Sequence, residues 1–266
     1  QALMGVGTVA LVWATVRRRA TAHAALIAGI VVATTPVAAL MFRFNNPEAL
    51  LTLLLTAAGY CTLRGIEDGR RRWAVATGVL LGLGFLTKQL QVMLVVPAYG
   101  LAWLVAAPQR LGRRVLDLAI GGVAMIAAAG WWVAVAEWWP ASSRPFIGGS
   151  QNNSVLELTL GYNGLGRITG HQEGSVGGGP NGNFGWGPTG WHRLLDGWFG
   201  VQFAWLLPAA LVCLAAGWWL TRKRPRTDLQ RAGLIVWGGA LLTGMAVFSY
   251  MEGIFHEYYT VVLAPP

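Results

Sequence analysis

Four stretches hold the side chains best suited to chemistry in a chain that is otherwise apolar. They are "RFNNPE" (43–48), "TKQLQ" (87–91), "SQNNSVLELTLGYNGLGRITG" (150–170) and "FHEYY" (255–259). Lys88 is a compact cation, and Gln89 makes the turn beside it polar. An ionisable residue at membrane depth faces a cavity or a partner by default. Glu48 is a carboxylate close to Arg43, Asn45 and Asn46. His256 titrates near neutrality and stands beside Tyr258 and Tyr259. The third stretch adds Gln151, Asn152, Asn153, Tyr162, Asn163 and Arg167. These types bind and polarise a polar ligand. Each also has a structural reading. Asn46 can cap a helix, Pro47 suits its first turn, and Glu48 complements the helix dipole. Lys88 can snorkel to the headgroups, and a lone His past a helix end commonly sits at the interface.

The elements that position these residues follow from composition. The 266 residues are 55% hydrophobic and 12% charged, with a mean hydropathy of +0.49. Soluble domains carry about 25% charged residues. Apolar runs of roughly 20 residues mark an all-α, polytopic membrane helix bundle. Eight crossings are expected, near 3–16, 23–42, 47–64, 73–87, 90–107, 115–139, 200–221 and 232–251. The net charge of +9 raises the question of nucleic acid, and its placement excludes that partner. Fifteen of the 20 Lys and Arg lie in four clusters, at 17–19, 64–72, 110–114 and 222–231. With alternating crossings all four fall on one side, which the positive-inside rule makes cytoplasmic. Arg43, Lys88, Arg144, Arg167 and Arg193 are left on the outer side. Residues 73–107 must then cross an even number of times, as two short helices or a re-entrant hairpin with Lys88 near its apex.

Three regions result: helices over 1–139, an extracytoplasmic loop or lid over 140–199, and helices with the outer "FHEYY" segment over 200–266. In the loop, 162–169 reads as ordered against the helix ends and 174–182 as mobile, a Gly/Pro/Asn run. Loops this long are commonly functional or disordered. Gly164, Gly166 and Gly170 miss the dinucleotide spacing by one residue, and no P-loop, HExxH, CxxC or GxSxG occurs. Gly78 and Gly82 form a small-xxx-small pair for helix packing. Cys61 and Cys213 read as buried free thiols.

The motifs "FRFNNPEALLTLLL", "GLGFLTKQLQVMLVVPAYGLAWL", "RPFIGGSQNNSVLELTLGYNGLGRITG" and "FHEYYTVVLAPP" resemble a bacterial branch of the family 39-like integral membrane glycosyltransferases. These belong to the GT-C superfamily, with the protein O-mannosyltransferases and the lipid A aminoarabinose transferase. The resemblance implies a polyprenyl-phosphate sugar as donor, an acceptor entering from outside, and inverting sugar transfer at the extracytoplasmic face of the plasma membrane. It implies donor phosphate or sugar contacts for Lys88, Arg167, His256, Tyr258 and Tyr259. It implies pocket roles for Arg43, Asn45, Asn46, Glu48, Gln89, Gln151, Asn152, Asn153, Tyr162 and Asn163. The family's catalytic Asp lies in a first outer loop, which is expected upstream of Gln1, so the chain reads as a fragment and its catalytic residue is unknown. No cofactor is assigned. A divalent metal stays open, with His256 and Glu48 as ligands if they converge.

Two other classes stay open beside this one. A transporter or flippase would carry ionisable residues near the midplane of several helices and internal symmetry, and neither is evident. A non-catalytic envelope scaffold would carry a loop without convergent polar groups on the other outer ends.

Overall fold

The computed structural model describes residues 1–171 and 188–266. The stretch 174–182, expected to be the mobile part of the loop, lies outside the described residues. Among the described residues there are helices and no strands. The helices are α1 (Ala2–Arg17), α2 (Ala22–Thr34), α3 (Pro36–Met41), α4 (Pro47–Asp68), α5 (Arg71–Lys88), α6 (Val96–Ala106) and α7 (Leu111–Trp138). After them come α8 (Val155–Leu160), α9 (Gly166–Thr169), α10 (Gly197–Gln202), α11 (Leu207–Thr221), α12 (Leu229–Gly233) and α13 (Gly239–Tyr250).

Among the described residues, five helical segments are long and apolar enough to cross a bilayer: Glu48–Asp68, Arg71–Leu94, Leu111–Trp138, Ala204–Thr221 and Leu229–Tyr250. The other three expected crossings fall on shorter apolar helices. The second is broken where Thr35 turns extended ahead of Pro36 at the start of α3, because a residue before proline avoids the helical region. The 73–107 hairpin is asymmetric. α5 has 18 residues, about 27 Å at 1.5 Å per residue, whereas α6 has 11, about 17 Å. A 3₁₀ turn, Gln89–Leu94, joins them.

α4 lies centrally, with α1, α5, α6 and α12 packed on it. α5 and α7 approach closely through the small residues. An added Cβ on Gly82 would lie 2.5 Å from the Met125 carbonyl oxygen, and Gly78 faces Gly121 in the same way. The outward faces are apolar, as a lipid-facing belt must be: Val123 is 67% and Val212 69% exposed, with Trp131, Trp132, Trp138 and Trp139 at one end of α7. Cys61 is buried as expected, but Cys213 is exposed, because it falls on the outward face of α11.

The four basic turns meet at one end of the bundle. Arg18 pairs with Glu67 at 2.8 Å, and Gln109 donates to the Gly69 carbonyl at 2.5 Å. Arg226 donates to the Ala107 carbonyl at 2.7 Å, and Gln230 reaches the Arg19 carbonyl at 3.4 Å. Exposed pairs of this kind contribute about 0–1 kcal/mol each. Their significance is positional: each basic turn touches another.

Candidate functional site

The polar residues gather at the opposite end. The site begins at the start of α4. The Asn46 side chain accepts from the Ala49 amide at 3.2 Å and donates to the Met41 carbonyl at 2.8 Å. Pro47 occupies the first turn and Glu48 follows it. The capping signals therefore operate as read, and they also orient Glu48 inward, where it is 1% exposed.

Lys88 is the last residue of α5. The chain leaves it through Gln89 at a φ of +41°, a region that non-glycine residues seldom occupy. The Lys88 ammonium is hydrogen-bonded and ion-paired to Glu48, and it stands 3.6 Å from the Tyr259 ring centroid and 5.3 Å from that of Tyr258. Lys88 is thus neither a headgroup-seeking lysine nor a lone cation. A buried carboxylate fixes it from one side and aromatic faces cover it from another. Ammonium groups favour such faces, the more so when desolvated. An ammonium has three donors, and the pair with Glu48 orients the rest.

The aromatic wall comes from the segment after α13, which ends in a 3₁₀ helix, Glu257–Leu263. His256 stacks on Tyr258 with centroids 5.1 Å apart and meets Tyr259 edge-on at 5.5 Å. Burial, and then the Arg167 charge, holds the His256 pKa below 6.5, so the ring is neutral at neutral pH. Burial raises the Tyr258 and Tyr259 hydroxyls and keeps them protonated donors.

Arg167 arrives from the loop. Between α8 and α9 the chain makes a π-turn over Gly161–Leu165, with Gly164 outside helical geometry. Turns of this type recur at functional sites. Here the turn sets the Arg167 guanidinium 4.4 Å from the Tyr162 ring centroid and 3.2 Å from Asn163 Oδ1. The Arg167 and Ile168 carbonyls accept from the Gly253 and Glu252 amides at 3.0 and 3.1 Å. Arg167 and Ile168 are therefore tied by main-chain bonds to the residues just ahead of the "FHEYY" segment, and the Arg167 charge acts on His256, Tyr258 and Tyr259.

One cluster therefore contains Glu48, Lys88, Tyr162, Asn163, Arg167, His256, Tyr258 and Tyr259. Gln89 flanks it, with its Oε1 buried and without a hydrogen bond. The structure gives the other expected pocket residues local work. Arg43 is exposed. Asn45 accepts from Gln1 at 2.8 Å, and Asn46 is occupied by its cap. The backbone N–H groups of Asn152 and Gln151 donate to the Glu157 carboxylate, both at 2.8 Å, and those bonds lower its pKa. Asn153, at a φ of +54°, accepts from the Ile147 amide at 2.5 Å. These three build the loop's own frame. Glu137 anchors that frame to α7, accepting from the Ser154 hydroxyl at 2.7 Å and the Leu156 amide at 2.8 Å.

Two residues near the site gave no sequence signal. Arg193 looks like an ordinary outer-surface cation, yet it is 2% exposed. It donates to the Met251 carbonyl at 2.6 Å and lies 4.7 Å from the Phe255 ring centroid, bracing the end of α13. Gln202 opens an apolar run, and its Oε1 is buried without a hydrogen bond. Among the described residues no three His, Cys, Asp or Glu side chains form a group able to hold a metal.

A sequence profile of the family described as dolichyl-phosphate-mannose-protein mannosyltransferase matches residues 1–133, half of the chain. The chain belongs to this family. The family match includes Glu48 and Lys88. Two proteins of Bacillus subtilis (strain 168) named as mannosyltransferases are similar over the whole chain: YkcB at 30% identity and YycA at 29%. The chain spans about half the length of these relatives, 49% and 50%. Among solved structures, ArnT from Cupriavidus metallidurans, bound to undecaprenyl phosphate, superposes with a TM-score of 0.60. That match covers 99% of this chain and 42% of ArnT at 20% identity. The mannosyltransferase family member described here therefore has the polytopic GT-C helix-bundle fold.

Proposed function

We propose that this chain takes part in transferring a sugar from a polyprenyl-phosphate carrier to an envelope acceptor at the extracytoplasmic face of the plasma membrane. The observation that carries this reading is the convergence of Lys88 and Arg167 at the end of the bundle opposite the four basic turns. Basic turns mark the cytoplasmic side, so the cluster faces outward. Family membership points to a lipid-linked donor, and the ArnT neighbour was solved with undecaprenyl phosphate.

The chemistry follows from charge. When the bond from the sugar to the carrier phosphate breaks, negative charge grows on the phosphate oxygens. Fixed donors in a partly dry site stabilise that charge without reorganising. Lys88, held by Glu48, supplies a point charge, and Arg167, held by Asn163, supplies a planar fork. Neutral His256 and the protonated tyrosines bring hydrogen-bonding groups to the same place. The docked loop segment 155–169 lies at this end and delivers Arg167.

The test is transfer by the full-length protein in proteoliposomes supplied with radiolabelled undecaprenyl-phosphate mannose. Arg167→Gln keeps a hydrogen-bonding side chain and removes the charge. Its turnover should fall by a factor on the order of 10². Unchanged turnover by folded Arg167→Gln would overturn the reading, as would wild-type protein that moves the intact lipid across the bilayer without transferring the sugar.

A further inference from the structure

A cleft of about 310 Å³ adjoins the cluster, lined by Val37, Leu40, Met41, Gln202, Glu257 and Tyr258. Its chemistry differs from that of the cluster. Its polar lining residues are Glu257, Gln202 and Tyr258, and among the described residues no cation lines it. Among the described residues the Glu257 carboxylate makes no hydrogen bond or ion pair, so its oxygens are free to accept from a ligand hydroxyl, a charge-assisted bond. Gln202 lines the cleft, and its amide oxygen is buried, which leaves the amide nitrogen to donate to a ligand oxygen. Val37, Leu40 and Met41 supply apolar lining, and Tyr258 lines the cleft as well. Apolar lining, one carboxylate and one amide suit a neutral sugar ring, whose C–H face is apolar and whose hydroxyls donate and accept. They repel an anion.

Position gives the cleft its occupant. Tyr258 is the shared partition: its ring centroid is 5.3 Å from the Lys88 ammonium, and it lines the cleft. A sugar joined directly to a phosphate at Lys88 starts one bond from that phosphate, within reach of the cleft. We infer that this cleft holds the donor's sugar and that Glu257 and Gln202 select it, admitting neutral or amino sugars and rejecting sugars that carry a carboxylate. This rests on Lys88 and Arg167 being the phosphate site.

The experiment compares two affinities of the full-length protein in nanodiscs, for undecaprenyl phosphate and for undecaprenyl-phosphate hexose. Glu257→Gln keeps the shape and removes the charge. Gln202→Met removes a buried group that has no partner, so folding should survive. In both variants the bare carrier lipid should bind within twofold of wild type. The additional affinity contributed by the hexose should fall about tenfold, the loss of one or two hydrogen bonds. Undecaprenyl-phosphate glucuronate should bind more weakly than the hexose lipid to wild type, and Glu257→Gln should close most of that gap. Equal losses for both lipids would overturn the assignment, as would unchanged hexose binding, including the case where only the acceptor's KM rises. Wild-type protein that fails to bind undecaprenyl phosphate, or binds it independently of Arg167, would instead refute the phosphate site.

Discussion

At the scale of single residues, Glu48 and Lys88 must be treated as a unit. Removing one partner of a buried ion pair leaves an uncompensated charge and costs about 3–5 kcal/mol. Lys88→Met alone should therefore express poorly and melt early, although the position sits in an outer turn. Glu48→Gln combined with Lys88→Met removes both charges at similar volume. The double variant should retain a thermal midpoint near wild type in detergent while transfer falls by a factor on the order of 10². A single Lys88→Met variant as stable as wild type would show that Glu48 does not depend on the pair. His256 adds a pH dependence. Its folded pKa lies below its ordinary 6.5, so an unfolded chain takes up the proton first as pH falls. Stability is unaffected above about pH 7. It declines as pH drops through 6.5, and the loss is complete below the folded value. The groups acting on the ring are Arg167, Glu257, Lys88 and Glu48. His256→Phe preserves the stack on Tyr258 and cannot titrate, so it should flatten the part of a midpoint-versus-pH curve below about pH 7 that His256 contributes.

At the scale of elements, the loop segment 150–169 depends on a few directed bonds. Glu137 holds the start of α8, and the carbonyls of Arg167 and Ile168 hold its far end to the segment after α13. Glu137→Ala should release α8 and loosen the placement of Arg167. Amide hydrogen exchange over 155–169 should accelerate at least tenfold while α4 and α5 keep their protection. Equal exchange in wild type and variant would show that the docking is carried by apolar contacts instead. Packing of α5 on α7 is the other sensitive element. The backbones approach so closely at Gly78 and Gly82 that Gly82→Val has no space without separating the helices. Overpacking typically costs about 1–3 kcal/mol, sometimes more, and the thermal midpoint should fall accordingly.

At the scale of the whole molecule, the four basic turns share one end and the cluster occupies the other. Single cysteines at positions 18, 71, 113 and 224, in a protein whose own Cys213 is replaced by serine, should be labelled from the cytoplasmic side only. A cysteine at the exposed position 152 should be labelled from outside only. Labelling of 113 and 152 from the same side would invalidate the topology and with it the outward-facing site.

Much of this architecture was legible in the sequence because its causes are local or additive. Apolar runs locate the helices, Asn46-Pro47-Glu48 marks a helix start, Gly78 and Gly82 mark a close helix contact, and the alternation of crossings brings the basic clusters to one end. Each depends on neighbours within a turn or on the side of the membrane. The family resemblance also singled out Lys88, Arg167, His256, Tyr258 and Tyr259. What neighbouring residues do not determine is which polar groups meet. Glu48 and Lys88 are 40 positions apart, and Arg167 joins the segment after α13 from 87 positions away. Only helix packing decides that Glu48 pairs with Lys88 rather than facing solvent, and that Asn152 and Asn153 serve their own loop. It also buries Arg193 under Phe255 and brings Gln202 beside Glu257 in one cleft. A side chain's role here is set by the dielectric and the partners around it, and the folded chain supplies both from distant segments.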